Sequence, residues 1–190
     1  DGYLYQFEHS LLRILESSEG SAIRLEGIED VDLWDGDQST AVQVKYYSSQ
    51  KYGGLKSLAK PIFQMLKSFA QGTEIEFTLH VHFGRGGNPP LTLKVEELEE
   101  CLSSETIDQG ELSAIKGHLA AFSDRFKIQP GKSMEVQRDL VIKRLTEALT
   151  CEPTEAETLH RMRAVQLIQE RSAKPNEQDR ILDRTTLINF

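Results

Sequence analysis

The sequence predicts an α/β fold: a helix, a three-stranded antiparallel meander, a crossover helix and a further strand, followed by a helical C-terminal half. Three observations lead to this prediction. Apolar residues recur at helical spacing over residues 3–17. Two runs rich in β-branched residues flank Asp35-Gly36-Asp37, which is a hairpin signal. Residues 74–83 alternate strictly between apolar and polar side chains, which is typical of a strand.

The first helix and the crossover are read from spacing. The apolar residues of the first helix fall on one face, which we expect to be buried: Leu4, Phe7, Leu11, Leu12, Ile14 and Leu15. A polar, glycine-rich loop at 48–54 follows the meander, and an amphipathic helix at 55–70 leads to the next strand. A strand–helix–strand unit of this length predicts a right-handed parallel crossover.

The remaining elements are a strand and four helices. The strand at 74–83 is predicted to be half-buried, and its polar face is expected to carry Glu74, Glu76, Thr78, His80 and His82. The helices are expected at about residues 95–102, 111–126, 133–149 and 154–172.

Composition predicts a single globular domain over residues 1–190, with an α/β part at 1–91 and a helical part at 92–190. The chain is 38% hydrophobic and 27% charged, and it is long enough to bury a core. It has no membrane-length apolar run, no signal peptide and only two widely spaced cysteines, so we expect a cytoplasmic protein without a membrane partner. Because it begins without methionine, we expect it to be excised from a longer chain.

The charge is unfavourable for general binding to nucleic acid but allows a local site. A net charge of −8 argues against diffuse electrostatic attraction to phosphates. Lys56, Lys60 and Lys67 nevertheless fall within about 40° of one another on a helix, which makes a basic stripe. Such a stripe suits a DNA backbone, and it equally suits a solvated helix surface.

The residues that indicate chemistry lie in the predicted meander. Gln43 and Lys45 stand two residues apart, so their side chains point to the same face of a strand. Asp30 and Asp32 share a face by the same rule. Neighbouring strands can therefore bring a carboxylate, an amide oxygen and an ammonium group together.

This combination suits metal-dependent hydrolysis of a phosphodiester. A divalent cation neutralises the phosphate and generates hydroxide, and Mg²⁺ (or Mn²⁺) takes oxygen ligands. The predicted ligands are the Asp30 carboxylate, the Gln43 amide oxygen and the Val44 carbonyl, with Lys45 as the catalytic cation beside the phosphate. An ordinary exposed strand carrying one lysine is the alternative interpretation.

The same residues resemble a known signature. Asp30 followed by Gln43-Val44-Lys45 resembles the D…(E/Q)xK signature of the PD-(D/E)xK nuclease superfamily. Further segments are similar to the double-stranded-DNA endonuclease effector domains of bacterial anti-phage defence proteins: Gly2-Tyr3-Leu4-Tyr5-Gln6, Leu25-Glu26, Glu29-Asp30-Val31 and Asp183-Arg184-Thr185-Thr186. The resemblance implies a restriction-endonuclease-like core, magnesium-dependent cleavage of double-stranded DNA, and fusion to a cyclic-nucleotide sensor or an NTPase module.

The resemblance leaves several assignments open. Gln43 replaces the commoner glutamate, and no proline precedes Asp30, so Asp32 and Glu29 remain alternatives for the metal carboxylate. Glu26 is expected to be either a further metal-site acid or a partner of Lys45. In the superfamily a glutamate of the first helix sometimes supports the metal; Glu8 would be that residue here, or simply an acid favoured in a helix's first turn.

A different class of function is the alternative to catalysis. A catalytically silent nucleic-acid-binding or assembly module with the same fold fits both the glutamine at position 43 and the negative net charge. If the chain is a nuclease, it needs restraint beside its own genome, so we expect a homo-oligomer whose assembly controls activity.

Overall fold

The structure is a computed structural model that describes residues 2–18, 20–36, 38–72 and 75–189. Its described residues are of the α/β class, with six strands in a mixed sheet, which confirms the predicted class. The strands are β1 (Ala22–Leu25), β2 (Val31–Asp35), β3 (Gln38–Tyr47), β4 (Glu76–Phe83), β5 (Phe126–Pro130) and β6 (Ile181–Asp183).

The helices among the described residues are α1 (Gly2–Glu16), α2 (Ala59–Ala70), α3 (Val95–Leu102), α4 (Gln109–Ile115), α5 (Leu119–Arg125), α6 (Met134–Leu149), α7 (Pro153–Glu155), α8 (Met162–Ser172) and α9 (Arg184–Ile188). A 3₁₀ turn, Leu55–Leu58, precedes α2, and a π-helical segment, Ala156–Arg161, joins α7 to α8. The predicted positions of α1, α3 and α6 are confirmed to within a residue.

The chain divides into two compact units. The first comprises Asp1–Ser39 and Lys132–Phe190, and the second comprises Thr40–Gly131. Both differ in extent from the predicted parts at 1–91 and 92–190. Two residues with predicted roles, Asp37 in the hairpin turn and Glu74 at the start of a strand, lie outside the described residues.

In the first unit, β1 lies between β2 and β6 and is antiparallel to both, so that Ile23 pairs with Leu33 on one side and Leu182 on the other. Helix α1 packs against α6 and α8. Its apolar face is buried as predicted at Leu11, Leu12, Ile14 and Leu15, whereas Phe7 is half-buried and Leu4 is 39% exposed.

In the second unit, three strands run parallel in the order β5-β4-β3. Strand β3, the 3₁₀ turn with α2, and β4 form the strand–helix–strand unit predicted as a parallel crossover. Phe77 and Leu79 of β4 and Ile62 and Met65 of α2 are fully buried. This core fixes the face of β3 that bears the predicted catalytic side chains.

The prediction that β4 is half-buried is wrong. Thr78 and His80, expected on an exposed polar face, are only 3% and 6% exposed. The reason is the position of β4 between two parallel strands, because the inner strands of parallel sheets are covered on both faces. Alternation of polar and apolar residues therefore does not report exposure here.

The prediction of an entirely helical C-terminal half is also wrong, because β5 and β6 lie in it. The helix expected at 111–126 is divided into α4, a 3₁₀ turn and α5, after which the chain enters β5 directly. Phe126 and Ile128 of β5 are buried and alternate with exposed neighbours. A pattern of apolar residues only five residues long does not distinguish a helix from a strand. The segment is a strand because it pairs with β4.

Two other sequence expectations concern the environment of the chain. Cys101 and Cys151 are free cysteines, and burial raises the pKa of Cys101 to about 12, so its thiol is unreactive. None of the described helices combines the length and the apolar character needed to cross a membrane.

Candidate functional site

Strand β3 presents polar side chains to an open cleft of about 660 Å³ in the second unit. Gln43, Lys45 and Tyr47 line this cleft from alternate positions of the strand, as their spacing predicts. Gln43 is 8% exposed and Lys45 is half-buried, so both side chains are held at the floor of the cleft rather than free in solvent. The structure thus brings two of the predicted catalytic residues to one surface.

Helix α2 supplies a cationic wall to the same cleft. Lys60, Gln64 and Lys67 line it, and the Lys67 ammonium lies 5.6 Å from the centre of the Phe63 ring. Lys56 lies outside this lining and belongs to the 3₁₀ turn that precedes α2. The basic stripe predicted from helical spacing is therefore confirmed for two of its three lysines.

The facing wall of the cleft, around α4, is acidic. Asp108 and Glu111 line it. Asp108 caps α4, because its carboxylate accepts hydrogen bonds from the backbone N–H groups of Gly110 (2.8 Å) and Glu111 (3.0 Å). Glu111 forms an ion pair with Lys67, in which Oε2 and Nζ are 2.8 Å apart. The cleft is positively charged at its floor and on the α2 side only.

In the first unit, the predicted acids lie in and beside the loop between β1 and β2. Asp32 is engaged in structure: its carboxylate accepts from Arg24 Nη2 at 2.7 Å, and from the backbone N–H groups of Ile28 at 2.8 Å and Glu29 at 3.2 Å. Its side chain is 3% exposed. This arrangement closes the loop around Asp32, and these contacts favour a structural role for its carboxylate.

Asp30 and Glu26 are joined by the backbone of the same loop. The Glu26 N–H donates to the Asp30 carbonyl at 3.0 Å, and both residues are half-buried. Glu26 has a φ of +49°, a left-handed conformation that is strained for a residue with a side chain. Two long side chains also donate hydrogen bonds to it: Gln6 Nε2 to its Oε1 at 2.9 Å, and Arg180 Nη1 to its carbonyl at 2.7 Å.

Sequence reasoning missed these two supporting residues. Gln6 belongs to the Gly2–Gln6 segment that carries part of the resemblance, but nothing in that segment indicates its contact with Glu26. Arg180 lies 154 residues from Glu26 in the chain, in a segment without a motif, and no local signal identifies it.

Glu8 has a different environment from the one expected. It lies in the second turn of α1, so the interpretation as a first-turn acid is wrong, because α1 begins at Gly2. It is 0% exposed and forms an ion pair with Arg161. Burial raises the pKa of Glu8, although Arg161 and Arg138 act in the opposite direction. These contacts favour a structural role for Glu8.

The candidate ligands can be judged by their donor atoms. Within the described parts of the chain, no cluster of three or more His, Cys, Asp or Glu residues is arranged to hold a metal. The predicted set of one carboxylate, one amide oxygen and one main-chain carbonyl is of another kind. Oxygen-only donors with few charges suit Mg²⁺, which fills its other positions with water or substrate.

Comparison with known proteins identifies no relative, since no family model, no curated protein and no solved structure matches the chain.

Proposed function

We propose that the chain is a metal-dependent endonuclease of the PD-(D/E)xK type that cleaves double-stranded DNA, with a restriction-endonuclease-like core. The observation that carries the proposal is the cleft in which Gln43 and Lys45 of β3 lie beside Lys60 and Lys67 of α2. A phosphodiester backbone needs cations along its path and one cation at the scissile phosphate. The cleft offers both.

Lys45 is the proposed catalytic cation. Its side chain is half-buried, on a strand with a packed opposite face, and a charge that is positioned before substrate arrives stabilises the transition state. In this role it contacts the scissile phosphate or the attacking water. Gln43, two residues earlier and nearly buried, orients the reacting group through its amide.

Asp30, Gln43 and Val44 are the proposed ligands of Mg²⁺ or Mn²⁺. When bound, the metal neutralises the phosphate and lowers the pKa of a water molecule. Glu26 is a further acid of this site in the proposal. Its support is the loop that joins it to Asp30 and the Gln6 amide that fixes its carboxylate.

The biological setting follows from the resemblance and is part of the proposal. The chain would act in the cytoplasm as the effector domain of a prokaryotic antiviral defence protein, fused to a sensor or NTPase module and active as a homo-oligomer.

A second candidate function is a silent DNA-binding or assembly module with the same fold. One observation favours it: position 43 is glutamine rather than a carboxylate. Such a module would bind DNA through the cationic cleft and would need no metal.

Cleavage of supercoiled plasmid separates the two candidates. We expect nicking with Mg²⁺ or Mn²⁺, none with EDTA, and a loss of about 10²-fold or more in Asp30→Asn. Asp139→Asn, on the exposed side of α6, is the matched control and should cleave like the wild type. DNA binding without cleavage in either metal would establish the silent module, and the absence of both would overturn the two proposals together.

A further inference from the structure

The cleft contains an ion pair that connects its two walls. Lys67 Nζ of α2 lies 2.8 Å from Glu111 Oε2 of α4, and the two side chains are 37% and 54% exposed. Both residues line the cleft. The Lys67 ammonium, which also lies near the Phe63 ring, is thus already occupied by a carboxylate of the same unit.

Lys60 lies on the same wall and differs in this respect. It is exposed, and it takes part in none of the ion pairs seen among the described residues. Seven residues separate it from Lys67, which is about 10.5 Å along a helix axis at 1.5 Å per residue. Phosphates of one DNA strand advance about 3.4 Å each along the duplex axis, so the two lysines are far enough apart to contact different phosphates of one strand.

We propose that Lys60 and Lys67 bind phosphates of one DNA strand, and that Glu111 competes with the DNA for Lys67. Lys60 is then the permanent phosphate contact of the cleft, and Lys67 becomes available only when its ion pair with Glu111 opens. This inference rests on the proposed function, because it takes DNA as the ligand.

The competition follows from the chemistry of the groups. A carboxylate and a phosphate both present anionic oxygens to an ammonium group, which cannot hold both at full strength. A partly exposed ion pair is weak, so a phosphate can displace the Glu111 carboxylate from Lys67. Because the ion pair must open first, the free energy of DNA binding is reduced by the free energy of breaking it.

Equilibrium binding of the full chain to a short fluorescent DNA duplex, followed by anisotropy in EDTA, tests the inference without cleavage. We expect Glu111→Gln to tighten binding about two- to fivefold at low salt. Lys67→Gln should weaken binding and reduce the slope of log K against log salt by about 0.9. Lys60→Gln should reduce the slope by a similar amount.

The double variant Glu111→Gln/Lys67→Gln distinguishes competition from a general charge effect. If Glu111 acts through Lys67, the gain from Glu111→Gln disappears in the Lys67→Gln background. Glu99→Gln is the matched control, because Glu99 pairs with Lys116 at 2.9 Å and neither residue lines the cleft. It removes the same charge and should leave DNA binding unchanged.

Each other outcome overturns a defined part of the proposal. An equal gain from Glu111→Gln with and without Lys67, or an equal gain from Glu99→Gln, would show a general charge effect and refute the competition. If DNA binding depends on salt but is unchanged by Lys60→Gln and Lys67→Gln, the assignment of the α2 wall is refuted and the proposed function still stands. If the wild type binds no DNA, the proposed function fails as well.

Discussion

At the scale of the residue, the two aspartates on either side of Val31 should respond differently to the same change. Asp32→Asn removes the charge that Arg24 and two backbone N–H groups approach, in a side chain that is 3% exposed. We expect the free energy of unfolding to fall by about 2–3 kcal/mol. Urea denaturation measures it.

Asp30→Asn provides the comparison, because this residue is half-buried and precedes the strand. We expect it to lose DNA cleavage while its free energy of unfolding changes by less than about 1 kcal/mol. The opposite pattern, with a stable and inactive Asp32→Asn and an active Asp30→Asn, would move the metal carboxylate by two residues.

Glu8 should make stability depend on pH. Burial raises its pKa in the folded state above the ordinary value of 4.5. A raised folded-state pKa favours the protonated carboxyl, so this contribution to stability is complete below the ordinary pKa and is lost as pH rises through the raised one. Relative to Glu8→Gln, the wild type should therefore lose free energy of unfolding as the pH rises above the ordinary pKa of 4.5.

Paired urea titrations of the wild type and Glu8→Gln at a series of pH values give the difference directly. A constant difference would show that Glu8 titrates alike in the folded and unfolded states. A difference that grows in favour of the wild type would mean that Arg161 outweighs burial.

At the scale of the element, the π-helical segment Ala156–Arg161 places Arg161 against Glu8 of α1. Arg161→Met should leave the buried carboxylate without its charged partner and destabilise the chain by about 3 kcal/mol at neutral pH. The double variant Glu8→Gln/Arg161→Met should recover part of that loss, because no buried charge remains.

Chemical denaturation of the two single variants and the double variant forms a thermodynamic cycle. A coupling energy near zero would mean that the segment is held by its apolar contacts, such as those of the buried Ala156, and that the ion pair contributes little.

The sequence predicted those elements whose signals are local and long. Helices α1, α3 and α6 and the alternation of β3 lie where spacing places them. Strands β5 and β6 were missed because five and three residues carry too little periodicity, and because Phe126 follows α5 without a turn residue between them.

In the candidate site, too, some features follow from the local sequence and others do not. The shared face of Gln43 and Lys45 follows from strand geometry alone, and so do two lysines of the cleft wall. The Arg180 contact to Glu26 and the burial of Glu8 against Arg161 arise from tertiary packing. No pattern of neighbouring residues encodes those contacts.

At the scale of the whole molecule, the proposed D…QxK site would address one phosphodiester, and the two strands of a duplex are antiparallel. A two-fold pair of chains is the simple way to cut both strands. We therefore expect the chain at low concentration to nick plasmid DNA, and enforced dimerisation to increase linear product, because linkage raises the effective concentration of the second site.

The ratio of nicked to linear plasmid, measured against protein concentration with and without a fused dimerising partner, tests this expectation. A chain carrying a monomeric partner of similar size is the control. If the ratio is unchanged by concentration and by dimerisation, then activation by assembly is wrong even if the chain is a nuclease.

The central claim is that Lys45 of the cleft performs catalysis, and single-turnover cleavage of saturating DNA tests it most directly. Lys45→Ala should lower the cleavage rate about 10²–10³-fold while DNA binding and unfolding free energy remain close to those of the wild type. Lys56→Ala, an exposed lysine outside the cleft, should cleave at the wild-type rate. Wild-type cleavage by a folded, DNA-bound Lys45→Ala protein would contradict the account.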